Sequence, residues 1–151
     1  MNSILHTGLT VSDLDRSLAF WRDALGMQVV MSQEKQGGYL EAIVREHGAH
    51  VRMAHLAFEP GGPCIELFQY LAPAGGRAAL RPADVGFSHV CILCDDVEAL
   101  LERLVATGGE PFTGVVEVDT GANAGGRCVY LRDPDGHVVE LFSRAPTGGP
   151  A

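Results

Sequence analysis

HTGLTVSDL at residues 6–14 and HVCILCDDV at residues 89–97 are the two stretches on which the reading of this chain turns. Aligned at an offset of 83 residues, they match in kind: a histidine opening a β-like run, an aspartate able to cap a helix (Asp13, Asp96), then the first apolar residue of that helix (Leu14, Val97). Each half closes on a strand-like run with a glutamate among apolar residues, Ile65-Glu66-Leu67-Phe68 and Val139-Glu140-Leu141-Phe142. The His-to-Glu interval is 60 residues in the first half and 51 in the second. The nine extra residues fit a longer loop or strand pair around Gly37–His50. A repeat of this kind is an architectural signal, and it makes the chain α+β, built from two βαβββ modules.

Working outward, the apolar spacing sets the elements. In the first half, residues 4–11 read as a strand, and Ser12 or Asp13 caps a helix over Leu14–Leu25. That helix carries a stripe of Leu14, Leu18, Trp21 and Leu25 and is stopped by Gly26. Short β-like runs follow at Gln28–Ser32, Tyr39–Arg45, Val51–Phe58 and Cys64–Tyr70, with Gly37-Gly38 and Gly61-Gly62-Pro63 between them. In the second half, Phe87–Cys94 reads as a strand and Val97–Thr107 as a helix with Val97, Leu100, Leu101, Leu104 and Val105 on one stripe. The remaining strands are Phe112–Val118, Cys128–Arg132 and Val138–Ser143, the last two joined by the turn Asp133-Pro134-Asp135-Gly136. The predicted organisation is a single domain: module 1 over 1–71, a linker over 72–85, module 2 over 86–144, and a disordered Pro/Gly-rich tail over 145–151.

Composition bounds the function. The 151 residues suit one globular domain, with 46% apolar and 20% charged residues. The 19 glycines stand well above the usual share of about 7% and punctuate many short elements. A net charge of −8 excludes nucleic-acid or anionic-membrane binding through bulk electrostatics. No signal-peptide pattern and no apolar stretch of membrane-spanning length occur, so a cytoplasmic protein is expected. Cys64, Cys91, Cys94 and Cys128 lie inside apolar runs. Cys91 and Cys94 spell C-x-x-C, but on a strand they point to opposite faces, so all four read as small packed thiols.

His6, Glu66, His89 and Glu140 carry the chemistry. Each lies in a predicted strand with apolar neighbours, and each half delivers one imidazole from its first strand and one carboxylate from its last. A carboxylate without a partner on an inner sheet face costs on the order of several kcal/mol, and a divalent cation removes that cost. Two imidazoles and two carboxylates without thiolate suit Ni, Zn, Co, Mn or Fe(II) and leave positions open for substrate oxygens.

At TVSDLDRSLAFW (10–21) with Leu25-Gly26, at FSHV (87–90) with Asp95-Asp96-Val97, and most specifically at DPDGHVVEL (133–141), the chain resembles the vicinal oxygen chelate superfamily, which includes glyoxalases, bleomycin-resistance proteins and extradiol dioxygenases. The resemblance spans nearly the whole sequence. It implies paired βαβββ modules whose mixed sheet curls into an open metal-binding cup with helices outside, and a homodimer. By similarity to glyoxalase I (lactoylglutathione lyase), His6, Glu66, His89 and Glu140 hold the metal. The implied reaction is proton transfer next to a carbonyl of a small-molecule substrate, with an enediolate intermediate. Glu66 and Glu140 are the candidates for the base, and Glu140 is the one favoured.

Other members set the alternatives. A methylmalonyl-CoA-type epimerase does similar chemistry, though its second ligand is commonly Gln where this chain has Glu66. An extradiol dioxygenase takes His6, His89 and Glu140 with iron, and Tyr130 then matches its tyrosine near the metal. That reading lacks an acid–base histidine in the stretch before Glu140 and leaves Glu66 unexplained. A metal-free, drug-sequestering cup needs none of the four ligands. Arg45, Arg52 and Arg127 read as solvated strand-edge charges, and His47, His50, His55 and His137 receive no role.

Overall fold

The computed structural model describes residues 2–146. Its first strand, β1 (His6–Val11), pairs in parallel not with its neighbour in sequence but with β4 (Cys64–Ala72), the last strand of the first half. β2 (Gln28–Gln36) and β3 (His50–Ala57) complete a four-stranded mixed sheet of order β1-β4-β3-β2. The second half repeats this order: β5 (His89–Leu93) pairs in parallel with β9 (Val138–Ser143), which pairs with β8 (Arg127–Arg132). β8 in turn carries two short strands, β6 (Glu110–Pro111) and β7 (Val116–Glu117). The α+β, two-module architecture expected from the repeat is thus present. The chain divides into two units, Met1–Ala78 and Ala79–Ala151, each described below by itself. The tail expected from residue 145 onward lies, from 147, outside the described residues.

Each sheet turns one face to the helix that follows its first strand, because side chains alternate along a strand. In the first unit, α1 (Leu14–Leu18) starts where Asp13 accepts hydrogen bonds from the Asp15 and Arg16 amides, and it runs straight into a π-helical turn over Ala19–Ala24. The Leu25 amide bonds to the Phe20 carbonyl, five residues back. This wider turn brings both Phe20 and Trp21 to full burial beside Leu56 and Leu67, a departure from the regular stripe expected over 14–25, in which Leu18 is only half-buried. In the second unit, α3 (Val97–Ala106) is capped by Asp96, which accepts from the Ala99 amide. It buries Val97, Leu100 and Leu104, while Val105, placed on the stripe from sequence, is exposed. Val129, Leu131, Val139 and Leu141 are its most deeply buried strand residues, and Ile92, Val138 and Ser143 are buried as well.

Two strand expectations are corrected. Residues 39–45 do not form a strand: Tyr39–Val44 is a helix, α2, ended by Arg45 in the left-handed region at φ 57°. Leu40 and Val44, four apart, pack with Val51, Met53, Phe68 and Tyr70, and the Glu41 carboxylate takes the Gly48 amide at 2.7 Å. The run YLEAIV contains good helix formers, and once Gly37-Gly38 turns the chain, a helical period buries Leu40 and Val44 together, which strand alternation would also do only at the cost of backbone pairing. Of the strand expected over 112–118 only Val116–Glu117, β7, is a strand, and β6 lies just before that range. Pro111 lacks a ladder donor, and around Gly114 the chain leaves the ladder before Val116 rejoins β8.

Candidate functional site

The parallel pairing of first and last strands positions the four predicted residues. In the first unit Gly8 is opposite Glu66, so His6, two residues earlier, projects from the same face as the carboxylate. In the second unit Cys91 is opposite Glu140, and His89 stands two residues before it. The construction is identical in both. It brings His6 Nε2 to 3.6 Å from Glu66 Oε2, and His89 Nε2 to 3.1 Å from Glu140 Oε2. The histidine side chains are about one-third exposed (37% and 35%), and the carboxylates about one-fifth (18% and 20%), so both pairs are reachable yet partly shielded. Both glutamates lie opposite the faces that bury Ile65, Leu67, Val139 and Leu141; in the first unit the Glu66 face also carries Met53, Phe68 and Tyr70, against which α2 packs.

The third strand of each unit adds a group that sequence reading left idle or set aside. His55 on β3 is opposite Glu66 and its Nε2 lies 2.8 Å from Glu66 Oε1. A carboxylate only accepts, so the His55 Nε2–H is the donor. Tyr130 on β8 is opposite Glu140. Its hydroxyl lies 3.3 Å from His89 Nε2, and its ring stands 4.9 Å from the His89 ring. Burial first, then the Glu140 charge, pushes the Tyr130 phenol up. The Cys91 thiol is pushed up to about 11, by burial first and then by Glu140. Both groups therefore stay protonated at neutral pH; Cys91 is exposed rather than packed as expected, whereas Cys64, Cys94 and Cys128 are half-buried. His55 had one legible signal, a histidine alternating with buried apolar residues eleven positions before Glu66, where Tyr130 stands ten before Glu140.

The guanidiniums expected to be solvated charges hold helix acids. Arg52 pairs with Asp15 at 3.2 Å, and Arg127 pairs with Glu98, so both serve the helix side of their sheets. Arg45 caps α2. His50 pairs with Glu34 at 2.6 Å.

The donor chemistry fits a divalent ion. Each unit offers one imidazole nitrogen and one carboxylate, without thiolate, and no lysine or arginine pairs with either carboxylate among the described residues. The donors come in twos: among the described residues no group of three His, Cys, Asp or Glu side chains is placed to hold an ion. In the first unit the reason is visible, since His6 and His55 address different oxygens of Glu66 rather than a common point.

Comparison with known proteins defines the class. Over residues 3–141 the chain matches the Glyoxalase/Bleomycin resistance protein/Dioxygenase superfamily, and it belongs to that superfamily. It is 33% identical to a 2-epi-5-epi-valiolone epimerase from Actinomyces sp., over 98% of this chain and 82% of that one. It is 31% identical to the lactoylglutathione lyase of Haemophilus influenzae, over 95% of this chain and 94% of that one. Among solved structures, a glyoxalase family protein from Bacillus cereus shares the fold at a TM-score of 0.81 and 21% identity, covering 95% of this chain and 97% of that one. Glyoxalase I from Zea mays superposes at a TM-score of 0.69 with 26% identity, over 97% of this chain and 46% of that one. No helix among the described residues is long and apolar enough to cross a membrane.

Proposed function

We propose that the protein is a divalent-metal-dependent lyase or isomerase of the glyoxalase I type, moving a proton between carbons next to a carbonyl. The observation that carries this reading is the twofold His–Glu construction: the same parallel register sets an imidazole against a carboxylate in each unit. His6, Glu66, His89 and Glu140 would hold the ion, giving a set of two nitrogens and two oxygens. When bound, the metal supplies Lewis acidity toward adjacent substrate oxygens. The rest is done by the chain. Glu140 takes the proton from the substrate carbon and returns it to the neighbouring one. Its neighbours suit that task, because Tyr130 and Cys91, opposite Glu140 on the flanking strands, are neutral groups that leave its charge in place. A three-ligand iron reading with His6, His89 and Glu140 leaves Glu66 and its partner His55 without a task, and a metal-free sequestering cup leaves all four donors without one.

A second reading, epimerisation of a cyclitol-like keto sugar, is favoured by the Actinomyces relative. It begins with the same removal of a proton next to a carbonyl but returns the proton to the opposite face of the same carbon, so it differs in substrate and in where the proton goes. The test of both begins with stripped protein titrated with Ni, Co and Zn by calorimetry, followed by turnover of the methylglyoxal–glutathione hemithioacetal and of 2-epi-5-epi-valiolone. The expected result is stoichiometric metal binding and activity restored by metal on one of the two substrates. Absence of stoichiometric binding would overturn the proposal. The same preparations test the accompanying proposal of a homodimer: sedimentation should give twice the chain mass, and a monomer would remove that part alone.

A further inference from the structure

The two modules match in strand order, register and His–Glu placement, but they differ in the residue opposite each glutamate on the third strand. In the second unit it is Tyr130, whose hydroxyl approaches the histidine. In the first it is His55, whose imidazole goes to the carboxylate itself. Glu66 is therefore addressed on both oxygens, Oε1 by His55 at 2.8 Å and Oε2 by His6 at 3.6 Å.

We propose that His55 is a positioning residue: by donating to Glu66 Oε1, it turns the carboxylate so that Oε2 faces His6 and is presented as a metal ligand. The inference rests on the metal-dependent reading above. A carboxylate on a two-torsion stem has many orientations, and a ligand pair needs one of them. A donor fixed on the adjacent strand selects that orientation before the ion arrives, lowering the ordering cost of binding. His55 is itself fixed. Its side chain is only 20% exposed, and its ring lies 5.4 Å from the His6 ring at a 43° tilt. The two glutamates are thereby made different. Glu66 is anchored by a second imidazole, whereas among the described residues Glu140 pairs with one imidazole, His89.

The experiment compares His55→Phe, which keeps a ring but no donor, with His55→Gln, whose amide reproduces the N–H near the Nε2 position. Affinity for Co(II) is measured by calorimetry on stripped full-length protein, with the visible d–d spectrum as a second readout and near-UV circular dichroism as the folding control. His55→Phe is expected to bind Co(II) about 10- to 100-fold more weakly with an altered spectrum, and His55→Gln to recover most of the affinity. Wild-type affinity and spectrum in His55→Phe would overturn the proposal. So would an equal loss in both variants, which would assign His55 to packing. Should His55→Phe not fold, His55→Ala serves in the same contrast with His55→Gln. Glu66→Gln separates the two levels: if it loses Co(II) while His55→Phe does not, only the His55 role falls. If the wild type binds no Co(II), the metal reading falls and takes this one with it.

Discussion

Replacing Asp133 by alanine removes a buried side chain that holds the β8–β9 turn and, three strand residues beyond His137, the glutamate of the second unit. Asp133 is 3% exposed, and its Oδ1 accepts from the amides of Asp135 at 3.0 Å and His137 at 2.8 Å. The Asp133 amide in turn donates to the His137 carbonyl at 2.8 Å, and Gly136 closes the turn at φ 95°. Hydrogen bonds to an ionised acceptor contribute about 1.5–3 kcal/mol each, which puts about 3–6 kcal/mol on this one side chain. Part returns on truncation, because Asp135 and His137 are only half-buried and water can reach their amides. A net loss of about 3 kcal/mol is the expected outcome, and for a chain of this size it lowers the melting temperature by roughly 6–12 °C. Asp133→Asn keeps an oxygen acceptor without its charge and should recover about half. Thermal unfolding followed by circular dichroism measures both variants. An Asp133→Ala melting point within about 2 °C of wild type would refute the reasoning, since the turn would then hold without its carboxylate.

Further outcomes follow from the same structure. Glu140→Gln should fold normally and lose about 10²–10⁴-fold in kcat, read on whichever substrate the protein turns over; full turnover would place the base elsewhere. Gly109→Ala would set a Cβ 2.8 Å from the Leu104 carbonyl oxygen and 3.0 Å from Leu131 Cδ1. Since a backbone atom must move, a loss of about 1–3 kcal/mol is expected in a denaturant midpoint. Burial pushes the Cys94 thiol up, so its thiolate fraction at pH 8 is below that of a free cysteine. Alkylation of Cys94 in the native protein should be slower than in the unfolded chain and should accelerate as pH rises.

The legibility of this fold differs from element to element, for physical reasons. Asp13 and Asp96 could be recognised as caps because capping is local chemistry within four residues. The hairpin at Asp133–Gly136 was equally readable, since the turn satisfies itself. Tyr39–Val44 was misread because a six-residue apolar run fits either period, and what decides is the cluster of Val51, Met53, Phe68 and Tyr70 that receives Leu40 and Val44. The π-helical turn was invisible for the same reason: its gain, the joint burial of Phe20 and Trp21, exists only against the sheet.

The sequence by itself determined that the chain repeats, which residues cap and turn it, and that a histidine and a glutamate recur in each half. Alternation along a strand also assigned those residues to a face. Only the tertiary structure decided which strands are neighbours. β1 meets β4 across 52 intervening residues and β5 meets β9 across 44, and that parallel pairing turns separate polar residues into facing pairs. It also decided that His55 belongs with Glu66, because cross-strand register is set by the whole ladder of backbone hydrogen bonds and the packing beneath it. The alternation around His55 gives it a face, but the pairing with Glu66 comes from the register of β3 against β4.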